Sequence, residues 1–135
     1  MGDARQFTSD LSRFADKVEL DLGRFRRRLT LGLKQKIELR SPVDSGRLRG
    51  SWAVSDAQPS SFVPPEGDVS SRGPVQATFG NAFESSFITS NLPYVMTIEF
   101  GRLDGKPGSK QAPQGMVRVS IAELQTELET SFGEL

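Results

Sequence analysis

Residues 7–42 read FTSDLSRFADKVELDLGRFRRRLTLGLKQKIELRSP, and their apolar positions decide the fold. Phe7, Leu11, Phe14, Val18, Leu22, Phe25, Leu29, Leu33 and Ile37 follow one another by threes and fours, the spacing of one helix face. Thr8, Ser9 and Asp10 offer N-capping chemistry near the start. Ser41-Pro42 ends the pattern, because proline disfavours helical geometry in the residue before it. Gly23 and Gly32 each cost roughly 1 kcal/mol against alanine, which leaves room for a kink or for two stacked helices. Unbroken, the helix would run for about 50 Å, longer than a small domain covers. Either its first turns pack on a neighbouring subunit or it bends to stay on its own sheet, and most of its Phe and Leu residues are expected in the core.

Beyond Pro42 the rhythm changes. In Gly50-Ser51-Trp52-Ala53-Val54-Ser55, Trp52 and Val54 alternate with small or polar residues as in a half-buried strand. Residues 56–74 are rich in Pro, Ser and Gly and read as a long loop. Val75, Ala77 and Phe79, then Phe87, Ile88 and Thr89, suggest one or two further strands separated near Gly80-Asn81. Tyr94 to Phe100 reads as a short helix entered through Pro93 and ended at Gly101. A second, basic loop spans 102–114. Val117, Ile121, Leu124, Leu128 and Phe132 then share one face of an acidic C-terminal helix, whose first residues also suit a strand. The expected class is α+β: a long N-terminal amphipathic helix and a C-terminal helix on a small antiparallel sheet, with two long Pro/Gly-rich loops.

The chain of 135 residues suits one domain, 1–135. With no His and no Cys, the common zinc and iron–sulfur signatures, thiol nucleophiles, a Ser-His-Asp arrangement and disulfides are excluded. No apolar run approaches the ~18–20 residues of a membrane span, and Met1 to Gln6 lack an apolar signal core, so a soluble, unexported chain is expected. Asp44, Glu99 and Asp104 are the carboxylates an enzyme reading would need. No spacing places them on one helix face, and neither catalysis nor a cofactor nor a metal is expected.

The net charge of zero hides a polarity. Residues 1–50 hold 12 basic and 7 acidic side chains, residues 51–135 hold 5 and 10. Arg24, Arg26, Arg27, Arg28, Lys34, Lys36 and Arg40 form the densest basic stretch, with Glu38 its only acid. Such a stripe suits phosphates. It equally suits an acidic protein surface, for instance the Glu-rich C-terminal helix of a neighbouring copy, and a solvated helix face is the plainest reading. Aromatics for base stacking and a DNA-binding motif are both lacking.

Between helix and strand lies Ser41-Pro42-Val43-Asp44-Ser45-Gly46-Arg47-Leu48-Arg49-Gly50-Ser51-Trp52. Pro42 fixes the exit, Asp44 suits an Asx-type turn, Gly46 permits positive φ, and Leu48 and Trp52 return to the core. The wording resembles the SPVDTGRLRGSW stretch of the tail-completion or neck proteins of long-tailed bacteriophages, also described as minor tail or virion morphogenesis proteins. Three further motifs follow in the family's order: Asn91-Leu92-Pro93-Tyr94, Ile98-Glu99-Phe100-Gly101 and Gln111-Ala112-Pro113-Gln114-Gly115-Met116. Together they span about 41–118. Ser45 replaces the commoner Thr, and Val95-Met96 replaces a small residue after the Tyr.

The resemblance implies a non-enzymatic virion protein at the head–tail junction, present in the host cytoplasm during assembly. Copies would form a ring joining the portal or adaptor complex to the tail terminator or tube, around a channel for DNA. It implies no catalytic residue. A ring needs two different surfaces on each subunit, and opposite charges on them would favour that contact. The basic stripe is thus a candidate subunit contact or DNA-channel lining, and loops 56–74 and 102–114 are candidate docking segments. Non-enzymatic nucleic-acid binding through residues 24–40 is the competing reading. No membrane partner is expected.

Overall fold

The computed structural model describes residues 2–43, 47–66, 72–81 and 83–133. Its first element is a single helix, α1 (Gly2–Arg40), interrupted at neither Gly23 nor Gly32. Thr8, Ser9 and Asp10 lie inside it instead of capping it: the Thr8 hydroxyl donates to the Ala4 carbonyl, and the Gln6 amide bonds Asp10. Residues 3–6 are compatible with a helix, so it starts about two turns earlier than the capping residues suggest.

The expectation that most of the apolar face is core fails for the first half of α1. Phe7, Leu11, Phe14, Val18, Leu22 and Phe25 are all exposed. The reason is length: a helix of 39 residues extends about 58 Å, whereas each strand beneath it has four residues. Cover begins at Gly23, where an added Cβ would lie 3.4 Å from the Phe79 carbonyl oxygen. From Leu29 onward the face is partly or fully buried, and Ile37 is completely so.

Ser41 ends the helix, its hydroxyl donating to the Ile37 carbonyl. The expected Asx-type turn at Asp44 to Gly46 lies outside the described residues. A 3₁₀ turn, Arg49–Ser51, then feeds strand β1 (Ala53–Asp56), which begins after Trp52. Antiparallel to it runs β2 (Ser86–Thr89), with Ala53 opposite Thr89 and Asp56 opposite Ser86. The expected strand from Val75 is reduced to one parallel bridge with Val54. The Val54 N–H donates to the Pro74 carbonyl (3.0 Å), and its carbonyl accepts from Gln76 (2.7 Å). β1 is thus held along both edges, and Ala53, Val54 and Ser55 are all buried instead of alternating.

Helix α2 (Val95–Phe100) follows Pro93 and stops at Gly101, as the proline and glycine indicate. Helix α3 (Val117–Gly133) includes Val117, so no strand precedes it. The core gathers Ile37, Leu48, Trp52, Leu92, Ala112 and Met116, with Leu33, Ile88, Val95, Ile98 and Val117 against them. Fold class and element order match the α+β reading.

Candidate assembly surface

Residues that carry the family resemblance build one another's surroundings. Glu99, buried at the end of α2, accepts the N–H groups of Met116 (2.6 Å) and Val117 (2.9 Å) on Oε2 and that of Arg118 (2.9 Å) on Oε1. These are the amides of the residue before α3 and of its first two residues, which have no partner within the helix, and a negative charge there also complements the helix dipole. Burial alone would raise the Glu99 pKa. The amides of Arg118, Met116 and Val117 and the Arg118 guanidinium outweigh it and hold the carboxyl below its ordinary value. Arg118 further donates to the Glu99 carbonyl and covers the Phe100 ring at 4.7 Å. Gly115 is required here. Its φ is +88°, and a Cβ would come within 2.6 Å of the Glu99 carbonyl oxygen.

A second knot ties the end of α1 to the strand. The Trp52 indole N–H donates to Ser41 Oγ (2.8 Å), both residues being buried. Ser51 Oγ donates to the Leu48 carbonyl and lies 2.7 Å from Ser90 Oγ. Lys34 and Glu38 form a buried ion pair, and Glu38 also accepts the Gly73 N–H. A side chain at Gly73 would strike the Trp52 carbonyl oxygen at 1.8 Å, so only glycine allows the loop to reach this point. Of the remaining motif residues, Pro42 is half-buried, Gly101 is the half-buried cap of α2, and Pro93 and Tyr94 are exposed. Asp44, Ser45 and Gly46 lie outside the described residues.

The basic stripe divides. Arg26 donates to Asp56 Oδ1 (3.2 Å), Ser86 Oγ (2.6 Å) and the Asn81 carbonyl (2.5 Å), and lies over Phe79. Lys34 is consumed by Glu38. Lys36 reaches Glu123 and Glu127 at 2.8 Å, and Arg40 reaches Glu123. The complementarity between this stripe and the Glu-rich helix is therefore made within one chain. Arg24, Arg27 and Arg28 remain exposed, with no ion pair among the described residues.

Asp56 was invisible to sequence reasoning. It accepts the N–H groups of Thr78 and Phe79 at 3.0 Å each, besides bonding Arg26 and Ser86. Burial would raise its pKa, but the Phe79 and Thr78 amides and the Arg26 charge hold it down. Its partners lie 22 or more positions away, and the only local hint is an acid at the end of a strand.

The candidate docking loops are partly pinned. The Asn91 amide donates to the Ser60 and Phe62 carbonyls, and Pro64 is fully buried. In the second loop, Asp104 accepts the Lys106 N–H and pairs with exposed Arg102, while Leu103 stands fully exposed beside Met96 and Phe100. Glu99 and Asp104 thus serve backbone amides, and the described residues hold no cluster of three or more metal-ligating side chains. Among the described residues no helix is long and apolar enough to cross a membrane. No family model, curated protein or solved structure matches the chain.

Proposed function

We propose that this chain is a non-enzymatic structural protein of the head–tail junction of a long-tailed bacteriophage. Copies of it form a ring between the portal or adaptor complex and the tail terminator or tube, with a channel for DNA. The observation that carries this reading is the mutual dependence of the four ordered motifs. Ser41, Leu48 and Trp52 from the first, Leu92 from the second, Glu99 from the third and Ala112, Gly115 and Met116 from the fourth meet in one core and one helix cap. That dependence gives a physical reason for such motifs to recur together in a fixed order.

Exposed Arg24, Arg27 and Arg28 supply the surface for an acidic neighbour or for the DNA in the channel. Their exposure is also what favours the second reading, nucleic-acid binding outside a virion. Electron microscopy of particles assembled with and without the protein tests the proposal. Tails detached from DNA-filled heads in its absence, and a ring of it at the joint in its presence, are expected. Intact tailed particles without it would overturn the reading. Salt-dependent affinity of the isolated protein for DNA would then favour the alternative. Charge reversal of the three arginines separates their roles: a weakened ring indicates a subunit contact, and an intact ring with poor DNA retention indicates a channel lining.

A further inference from the structure

The bare half of α1 carries more order than a solvated helix needs. At about 100° per residue, Arg26 and Gly23, which face the sheet or its loops, lie roughly 80° and 140° round the axis from Val18, the centre of the stripe running through Phe7, Phe14, Val18 and Phe25. Bending α1 toward its own sheet would leave that stripe in solvent. At the other end of the helix, α3 lies along α1 in antiparallel sense, since Arg40 and Lys36 reach Glu123 and Lys36 reaches on to Glu127. Seventeen residues of α3 cover only the last turns of α1.

The stripe is symmetric about Val18. Outward from Val18 the apolar residues recur at four, three and four positions in both directions, to Phe7 on one side and Leu29 on the other. This 11-residue repeat keeps an apolar seam on one side of a helix. An antiparallel copy of α1 centred on Val18 therefore sets Phe7 against Leu29, Leu11 against Phe25, Phe14 against Leu22 and Val18 against itself. The flank of the seam away from the sheet carries Asp10, Lys17, Asp21, Arg24 and Arg28. In that pairing Asp10 of one copy falls beside Arg24 and Arg28 of the other and Lys17 beside Asp21, contacts of opposite sign that outnumber the like-charged approach of the two Lys17 side chains. An open groove of about 770 Å³ lined by Asp21, Arg24, Phe25, Arg28 and Gly32 lies on this flank.

We propose that the exposed half of α1 is a docking surface for a second copy of this chain, forming a two-fold antiparallel helix pair centred on Val18. The pair does not rest on the phage reading and stands or falls in the purified protein. Its occupant is the chain itself because stripe spacing and flanking charges are both self-complementary under one operation. Helices in proteins draw most of their stability from a packed apolar face, which α1 lacks before Gly23, so pairing stabilises the helix that makes it.

Sedimentation of the full chain tests the pair. A dimer that dissociates on dilution, with loss of helical circular dichroism, is expected. Phe14→Asp should weaken it by roughly a hundredfold, since two buried rings are lost per pair. The sole tryptophan, buried Trp52, reports by its fluorescence whether the core of the variant is intact. Asp10→Arg provides a second variant at a charged contact and should weaken the pair about tenfold. The chain has no cysteine, so single introduced thiols report orientation. Val18→Cys should oxidise readily to a covalent dimer, and Phe7→Cys should not. A monomer at every concentration, a larger ring in which Val18→Cys does not cross-link, or equal cross-linking through Phe7→Cys would each overturn the proposal.

Discussion

Leu11 and Phe14, in the first half of α1, are 55% and 66% exposed, whereas Ile37, on the same run of threes and fours, is 1% exposed. The apolar rhythm is no stronger around Ile37. What differs is the cover: the second half of α1 meets the 3₁₀ turn, the strands and α3, and these come from residues 49 to 133. The second half also buries charge in the Lys34–Glu38 pair, which no described side chain of the bare half does. Periodicity thus states that a helix has an apolar face, and only long-range partners decide what that face touches.

The sharpest way to break this comparison is to shorten one side chain in each half. Ile37→Ala should lower unfolding free energy by about 3 kcal/mol, through lost burial and the cavity left behind. Leu11→Ala, measured by denaturant titration at a dilution where the chain is monomeric, should change it by less than about 0.5 kcal/mol. Equal losses would mean that the first half is covered within its own chain after all.

Glu99 gives the next largest effect. Glu99→Gln keeps the shape but removes the charge that three amides and Arg118 share, and about 2 kcal/mol should be lost near neutral pH. Because the folded protein holds this carboxyl below its ordinary 4.5, its contribution is complete above that value. It fades as pH falls through the lower folded value. Denaturation midpoints taken from neutral pH to about pH 3 should therefore fall less steeply in Glu99→Gln than in the parent. Parallel curves would show that the cap does not depend on charge.

Arg26 marks the point where α1 passes from bare to covered, and Arg26→Met should cost about 1–2 kcal/mol by freeing the loop around Asn81. Hydrogen exchange at the Thr78 and Phe79 amides, which Asp56 holds beneath it, should quicken. Unchanged exchange would locate the boundary nearer Leu29.

Much of this fold was legible because its signals are local. The stop at Ser41-Pro42, the entry at Pro93, the end at Gly101 and the acidic last helix all follow from neighbours in sequence. The strand expected at Val75 failed because one bridge to Val54 satisfies the backbone there, a pairing across more than twenty residues. Thr8, Ser9 and Asp10 misled for the opposite reason: such side chains also bond inside a helix, as Thr8 does to the Ala4 carbonyl, so capping chemistry alone does not mark a start. In the candidate surface, Glu99 and Gly115 stood out by motif, yet their meeting was unreadable, since sixteen positions separate them. The division of the basic stripe was unreadable too, because the acids that take Arg26, Lys36 and Arg40 lie in β1 and α3.

The smallest effect tests that division. Lys36 is raised by the hydrogen bonds it donates to Glu123 and then Glu127, and Glu123 is lowered by those it accepts from Lys36 and then Arg40. The Glu123 contribution is present above 4.5 and lost as pH falls, while that of Lys36 is present below 10.5 and lost as pH rises through its higher folded value. Both groups face solvent, so a double-mutant cycle with Lys36→Met and Glu123→Gln should show a coupling well below that of Glu99, shrinking as salt is added. A coupling as large as the Glu99 effect would make the α1–α3 seam a principal support of the fold. A weak one leaves the seam as a register device, which aligns α3 on the last turns of α1 and leaves the Val18 half of the helix for a partner.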